Sequence, residues 1–185
     1  SMANALMHAG TTNDEFVRAN MEWLSHASNW TKFTATSALG VIYCGHVKAS
    51  RELLSQYLPS SVGGTSSSGS EYSEGGSLYA LGLIHCNREG SEAVVRSILD
   101  LLGSPNATEV LQHGACLGLG AAALSTGNAE VVEACRSVLF SDSAVAGEAA
   151  GYAIGMTMLG SGDRELTEEL VRYARDTEHD KITRA

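Results

Sequence analysis

The chain has 185 residues, a formal net charge of −9 and a composition that is 44% hydrophobic but only 6% aromatic. The hydrophobic fraction is that of a globular protein, and the core must be built from small and aliphatic side chains. The acidic balance argues against a nucleic-acid surface, which needs clustered Lys and Arg. Since no apolar run is long enough to span a bilayer, we also expect no membrane partner.

The first 30 residues are predicted to form helices that belong to a repeat preceding the first complete one. Residues 12–30 have the pattern of a helix and its exit, with Asn13 as the N-cap. Phe16, Ala19, Trp23 and Leu24 are expected to share one face of that helix.

The next 120 or so residues contain a fourfold internal repeat, which is the strongest signal in the sequence. The segments TATSALGVI, GSLYALGLI, GACLGLGAA and AAGYAIGMT align without gaps, and each centres on a glycine. These column glycines are Gly40, Gly82, Gly120 and Gly155. The residue before each is Leu or Ile, and the residues two and five before it are small.

A second, amphipathic segment follows each glycine-centred segment, over residues 50–58, 91–102, 129–140 and 163–174. Apolar residues recur at steps of three and four, which indicates a helix with one buried face. Asn128 and Asp163 are placed to act as N-caps of the last two. The predicted fold is therefore all-α, an α-solenoid of helix-turn-helix units.

The repeat pattern divides the chain into consecutive units. The predicted boundaries are 1–30 for the preceding repeat, 31–58, 72–103, 104–141 and 142–178 for repeats 1 to 4, 59–71 for a flexible Ser/Gly loop, and 179–185 for the start of a truncated repeat. The low-complexity character of the loop extends to residue 76. We therefore expect the chain to be part of a longer array.

Glycine inside a helix costs about 0.5–1 kcal/mol relative to alanine, so four column glycines need a compensating cause. The small positions lie on one face of the first helix and the column glycine lies on the opposite face. A helix that carries only small residues on two opposite faces can pack closely against another helix on each of those faces. We predict that the first helices form an inner layer and the second helices an outer layer.

A nucleotide-binding site is an alternative explanation of the glycines in the third repeat. Gly118 and Gly120 fit the pattern G-x-G-x-x-A, which in dinucleotide-binding folds follows a hydrophobic strand. The preceding residues, EVLQHGACL, have helical spacing instead. A nucleotide-binding enzyme that uses Gly118 and Gly120 therefore remains the least favoured of the functional hypotheses.

The sequence predicts no catalytic residue, no cofactor and no metal site. The cysteines and the six histidines show no zinc-ligand spacing, and no activated nucleophile motif occurs. Cys44, Cys86, Cys116 and Cys135 are expected to be buried, reduced thiols, the first two with a packing role. Glu165, Glu168 and Glu169 are expected to form a solvated acidic face that attracts basic partners.

The small-rich first segments SLYALGLI and GACLGLGAA resemble the proteasome/cyclosome repeat family. The stretch from Asn4 to Ile42 and the segments YSEGGSLYALGLIH and DSAVAGEAAGYAIGMTMLGSG are similar in particular to proteasome members of the family. The resemblance covers nearly the whole chain. It departs in the Ser/Gly loop at 63–70 and in the second helices.

This resemblance implies a toroid of helix pairs in the full-length protein, and a non-catalytic scaffold in the base of the 26S proteasome regulatory particle, in the cytoplasm and nucleus. The implied partners are ATPase subunits, lid subunits, and a ubiquitin receptor or deubiquitinase. The cyclosome scaffold is the related alternative. The sequence assigns no partner-binding residue.

Overall fold

The computed structural model describes residues 2–20, 26, 28–65 and 70–175. Over these residues it contains ten α-helices, one 3₁₀ turn at Ser60–Val62 and no β-strand. The helices are α1 (Met2–Met7), α2 (Glu15–Ala19), α3 (Asn29–Ile42), α4 (Val47–Leu54), α5 (Glu71–Ile84), α6 (Ser91–Leu102), α7 (Glu109–Ala122), α8 (Ala129–Leu139), α9 (Ala144–Thr157) and α10 (Arg164–Ala174). The all-α prediction is confirmed.

The helices from α3 onward form four pairs, in which a 14-residue first helix is followed by a shorter second helix. The first helices α3, α5, α7 and α9 stack side by side in one layer, with the most extensive contacts in the molecule. The second helices α6 and α8 pack chiefly on the first helix of the following repeat. This two-layer stack is the predicted α-solenoid.

The core lies between the two layers and is aliphatic. The Leu or Ile that precedes each column glycine is 5% exposed or less in all four repeats. These residues are Leu39, Leu81, Leu119 and Ile154. Fully burying one such side chain stabilises the fold by about 1.5–3 kcal/mol. Burial of apolar side chains is therefore the main interaction that holds the second helices against the first helices.

The two predicted N-caps are present. Asn128 Oδ1 accepts hydrogen bonds from the backbone N–H groups of Glu130 and Val131, at 3.0 and 3.2 Å. Asp163 Oδ1 accepts from the N–H of Leu166 at 2.9 Å. Each cap satisfies N–H groups that have no partner inside the helix.

The N-terminal segment differs from its prediction. The N-cap of α2 is Asp14 rather than the predicted Asn13, although Asn13 Oδ1 accepts a hydrogen bond from the N–H of Glu15 at 3.2 Å, and the helix ends at Ala19. On the predicted face, Phe16 is 44% exposed and Ala19 is exposed, whereas Val17 is buried. Trp23 and Leu24 lie outside the described residues.

The orientation of α2 has a local cause. Asp14, which precedes the helix, accepts a hydrogen bond from the Arg18 guanidinium at 2.8 Å and one from the Tyr43 hydroxyl at 3.0 Å. Asp14 is thereby drawn toward α3, and Val17, three residues on, shares its face of the helix. Val17 is the side chain of α2 that enters the core.

The segment after the first repeat folds back on itself before residue 66. Val62 is buried at the 3₁₀ turn, which contacts α6. The N–H of Thr65 donates to the carbonyl of Ser55 at 2.8 Å. Residues 66–69 of the predicted Ser/Gly loop lie outside the described residues, as does the predicted truncated repeat at 179–185.

Candidate protein-interaction site

Backbones approach most closely where a column glycine meets the next repeat. A Cβ added to Gly40 would lie 2.5 Å from the nearest backbone atom, and one added to Gly120 would lie 2.7 Å from a backbone Cα. Such distances leave no space for a side chain. The contacting pairs are Gly40 with Ala80, Gly82 with Gly118, and Gly120 with Ala153. In every pair the partner is the small residue two positions before the next column glycine.

A second close approach lies nearer the N-terminal ends of the first helices. A Cβ on Gly114 would strike the backbone of Gly75, and one on Gly76 would strike the backbone of Phe33. Both partners lie seven residues before a column glycine. The first helices therefore have glycine or another small residue at their contacts along most of their length. This close packing explains the glycines, which helix propensity alone would disfavour.

The turns between paired helices contain a further repeat column that the sequence analysis missed. The residue five after each column glycine has a left-handed backbone, with φ between 52° and 82°. These residues are Gly45, Asn87, Ser125 and Gly160. Glycine and asparagine tolerate this region best, so Gly, Asn, Ser, Gly at constant spacing was a usable signal.

Two of these turns, those after α3 and α7, also bond to the neighbouring repeat. The N–H of Gly45 donates to the carbonyl of Ile84 at 3.0 Å, and the N–H of Ser125 donates to that of Met156 at 2.9 Å. The N–H of Gly127 donates to the carbonyl of Thr157 at 3.0 Å. Repeat 1 is thus held in register with repeat 2, and repeat 3 with repeat 4, by backbone hydrogen bonds that use the last carbonyls of the following first helix.

A backbone hydrogen bond of the same kind identifies which part of a repeat α1 represents. The N–H of Gly10, with φ 68°, donates to the carbonyl of Val41 at 3.0 Å. Ala5, five residues earlier, is 3% exposed and occupies the position of a column glycine. Therefore α1 is the end of the first helix of the preceding repeat. The sequence predicted a preceding repeat over residues 1–30 but not its alignment with the glycine column, because alanine replaces the glycine.

An aromatic cluster joins the N-terminal ends of three first helices. The Trp30 ring lies edge-on to Phe33, Tyr72 and His113, with centroid distances of 5.4, 5.2 and 5.1 Å. His113 Nδ1 lies 2.8 Å from the Val145 carbonyl oxygen, so that nitrogen donates a hydrogen bond. Trp30 is 41% exposed, which makes this cluster an apolar spot on the surface.

Ion pairs connect successive second helices. Arg96 of α6 pairs with Glu130 of α8 at 2.6 Å, and Arg136 of α8 pairs with Glu169 of α10 at 2.9 Å. Arg136 also contacts Glu133, and the two carboxylates, Glu169 above all, raise the pKa of its guanidinium. An exposed pair such as Arg96–Glu130 contributes about 0–1 kcal/mol.

The predicted acidic face of α10 is only partly exposed to solvent. Glu165 and Glu168 are exposed, and Glu168 pairs with Arg164 at 3.0 Å. Glu169 is half-buried in its pair with Arg136. The prediction that all three are solvated is therefore wrong for Glu169, because its position on α10 faces α8.

The cysteines divide into two groups. Cys116 and Cys135 are fully buried, as predicted. Cys44 is exposed and Cys86 is half-buried, so the packing role proposed for Cys44 is wrong. These two follow the first helices, in the turns, where the chain leaves the core. Burial raises the pKa of the Cys86 thiol, which keeps it protonated.

His85 is the buried histidine of the described residues. Its Nε2 lies 3.2 Å from Ser50 Oγ of α4, and the residue is 5% exposed. Burial lowers the pKa of the imidazole, and the charge of Arg51 lowers it further.

Across residues 2–175, as far as they are described, no cluster of three or more His, Cys, Asp or Glu side chains could hold a metal ion. In the same part of the chain, no helix has the length and hydropathy to cross a membrane.

Gly118 and Gly120 do not form a phosphate-binding turn. They lie inside α7, near its C-terminal end, where helix carbonyls rather than free N–H groups are exposed. A Cβ on Gly118 would lie 2.5 Å from the Leu78 carbonyl oxygen of α5, and Gly120 is covered by α9. These contacts leave no space for a pyrophosphate, which argues against the nucleotide alternative.

Comparison with known proteins agrees with this geometry. Residues 149–183 match the model of the proteasome/cyclosome repeat. The chain is 53% identical over 182 residues, 98% of its length, to the 26S proteasome non-ATPase regulatory subunit 1 homolog A of Arabidopsis thaliana. Residues 149–183 thus form a proteasome/cyclosome repeat, and the chain as a whole is similar to one segment of this proteasome subunit. The resemblance to proteasome members of this family is confirmed.

Two other relatives show the same relationship at greater distance. The 26S proteasome non-ATPase regulatory subunit 1 of Drosophila melanogaster is 48% identical over 99% of the chain. The 26S proteasome regulatory subunit RPN2 of Saccharomyces cerevisiae is 43% identical over 100% of the chain. The chain spans only 17–19% of the length of these three relatives. It thus corresponds to one segment of these much longer proteins.

Proposed function

We propose that this chain is a non-catalytic scaffold segment of the 26S proteasome regulatory particle. The observation that carries the proposal is its 53% identity, over 98% of its length, to a protein named as a non-ATPase regulatory subunit of the 26S proteasome. The stacked first helices suit this role, because a rigid, register-locked array holds surface residues at fixed spacing.

The partners that we propose are the ATPase and lid subunits of the regulatory particle, together with a ubiquitin receptor or deubiquitinase that contacts other parts of the longer protein. The work of the whole subunit is to organise these partners for degradation of ubiquitinated proteins, in the cytoplasm and nucleus. The toroid expected from the family is part of this proposal. The uneven surface, with an apolar spot at Trp30 and carboxylates on α10, offers contacts of two different kinds.

Affinity purification tests this proposal. The longer protein that contains this chain is tagged at its own locus, purified at low salt and analysed by quantitative mass spectrometry. We expect proteasome ATPase subunits in near-equal amount to the tagged protein. Absence of the tagged protein from intact 26S particles would contradict the proposal.

The same experiment separates the alternatives. Recovery of anaphase-promoting complex subunits instead of proteasome subunits would favour the cyclosome scaffold, which the sequence relatives do not favour. For the enzyme alternative, calorimetric titration of the folded chain with NAD and ATP is the direct test. We expect no saturable heat, because Gly118 and Gly120 are enclosed by α5 and α9.

A further inference from the structure

Two cysteines lie at the surface where the first repeat meets the second. Cys44 and Cys86 are each the fourth residue after a column glycine, so they occupy the same place in the turns of adjacent repeats. Cys44 is exposed and Cys86 is half-buried. The other two cysteines of the chain, Cys116 and Cys135, are fully buried in the third repeat. The surface pair is therefore accessible to small reagents, whereas the buried pair is not.

Contacts of Gly45 bring the turns of these two repeats together. The N–H of Gly45 donates to the carbonyl of Ile84 at 3.0 Å. A Cβ on Gly45 would also lie 2.8 Å from Nη2 of Arg88. These two partners lie two residues before and two residues after Cys86. The chain on both sides of Cys86 thus contacts the residue that follows Cys44.

The junction with the preceding repeat shows how closely one turn approaches the next at this place. Gly10 is the counterpart of Gly45 there, because each lies five residues after a column position. A Cβ on Gly10 would lie 3.6 Å from the carbonyl oxygen of Cys44, which is the counterpart of Cys86. By this correspondence, the turn that contains Cys44 passes directly beside the backbone of Cys86.

Burial and charge distinguish the two thiols. Burial raises the pKa of the Cys86 thiol most, the charge of Cys44 raises it further, and the charge of Arg88 lowers it. The Cys86 thiol is therefore protonated, and the two thiols lie within electrostatic range of each other. Since Cys44 is the exposed member of the pair, it is the thiol that an oxidant in solution reaches first.

We propose that Cys44 and Cys86 form a reversible disulfide when the protein meets a hydroperoxide such as hydrogen peroxide. The Cys44 thiolate attacks one oxygen of the peroxide, the O–O bond breaks, and hydroxide leaves, which gives a sulfenic acid at Cys44. The Cys86 sulfur then attacks the sulfur of that sulfenic acid. The Cys86 proton leaves with the hydroxyl group as water, and the S–S bond forms. The two thiols lose two electrons in total, which reduce the peroxide to water.

The disulfide adds a covalent link to the junction between repeats 1 and 2. Among the described residues, the turn after α3 makes one backbone hydrogen bond to repeat 2, whereas the turn after α7 makes two to repeat 4. Oxidation therefore fastens the junction whose turn makes fewer of these bonds, and a thiol reductant releases it by thiol–disulfide exchange. The inference concerns the chain itself and does not depend on the proposed proteasome role.

Peptide mass spectrometry after peroxide treatment tests the proposal. The longer protein that contains this chain is treated with hydrogen peroxide, alkylated without reduction and digested. We expect a disulfide-linked pair of peptides that contain Cys44 and Cys86. This pair should be at least about tenfold more abundant than any disulfide that includes Cys116 or Cys135, which serve as buried internal controls. Treatment with dithiothreitol before alkylation should remove the linked pair.

Two single variants test the order of the steps. In Cys86→Ser the sulfenic acid at Cys44 has no partner thiol, so it should persist and be labelled by dimedone. In Cys44→Ser the same dose of peroxide should leave Cys86 unlabelled, because its thiol is half-buried and protonated. Serine keeps the size of the side chain at both positions, and circular dichroism before treatment verifies that each variant is folded.

Three results would overturn the proposal. Sulfenic acid that persists at Cys44 in the wild-type protein would show that Cys86 is out of reach. A disulfide between the Cys44 residues of two molecules would show that the partner thiol belongs to a second copy. Oxidation of Cys116 and Cys135 to the same extent as the surface pair would show that exposure does not select the reacting thiols.

Discussion

Gly82 carries no side chain because the backbone of Gly118 fills the space that a Cβ would need. We predict that Gly82→Leu lowers the free energy of unfolding by more than about 3 kcal/mol, since it overpacks two helices whose backbones cannot both retreat. Gly103→Leu is the matched control. Its φ is −74°, it is exposed, and the nearest atom to an added Cβ is 3.6 Å away.

Urea denaturation of both variants provides the measurement. The control should stay within about 0.5 kcal/mol of the wild-type chain, as is usual for surface substitutions. Equal stability of the two variants would show that close packing is not the reason for the column glycines.

His85 makes stability depend on pH. Because burial lowers its pKa in the folded state, the unfolded chain binds a proton more readily than the folded chain does. The contribution of the neutral imidazole is present above the unfolded value of about 6.5 and is lost as the pH falls from there through the lower folded pKa. We predict that the free energy of unfolding decreases between pH 7.5 and 5.

The variant His85→Gln isolates this contribution, because the other histidines are the same in both proteins. It should show a smaller decrease in unfolding free energy over the same pH range, measured by urea denaturation at each pH. An unchanged pH dependence would mean that His85 is protonated as readily in the folded chain as in the unfolded one.

At the level of the helix, side-chain caps mark where the second helices α8 and α10 begin. Asn128 satisfies two N–H groups of α8. We predict that Asn128→Ala lowers the free energy of unfolding by about 1 kcal/mol, whereas Asn128→Asp retains most of the stability, because aspartate is an equally good cap. Thermal unfolding of the two variants is sufficient to distinguish them. Equal losses in both would rule out the capping explanation.

In the first and third repeats, the turn after the first helix links neighbouring repeats. Its left-handed residue directs the following N–H groups toward the end of the next first helix, as Ser125 and Gly127 show toward Met156 and Thr157. Helix stacking and turn bonding therefore specify the same register. A slip of one residue would lose both kinds of contact together.

For the molecule as a whole, the repeat columns in the sequence were sufficient to predict the fold. The column glycines and the small residues before them determine which helix faces approach, so the stacking order follows from the sequence. Two features were not predictable in this way. The place of Ala5 in the glycine column of the preceding repeat was not visible because alanine is ordinary in a helix, and Cys44 shares a column with Cys86 but not its burial.

The candidate interaction surface was less predictable than the fold. The apolar spot at Trp30 forms only because the stacking of three helices places the rings of Phe33, Tyr72 and His113 next to it. Glu169 is removed from the acidic face by Arg136, which lies 33 residues earlier. Such contacts depend on the stacking of different repeats and leave no local pattern in the sequence.

The most direct test of the account joins its two main claims, that the column glycines hold the array together and that the array is a proteasome scaffold. Gly82→Leu and Gly103→Leu are introduced separately into the longer protein in cells, and the share of each that migrates with intact 26S particles is measured. We predict that the Gly103→Leu protein assembles like the wild type and that the Gly82→Leu protein is largely absent from the particles. Normal assembly of the Gly82→Leu protein would contradict the account.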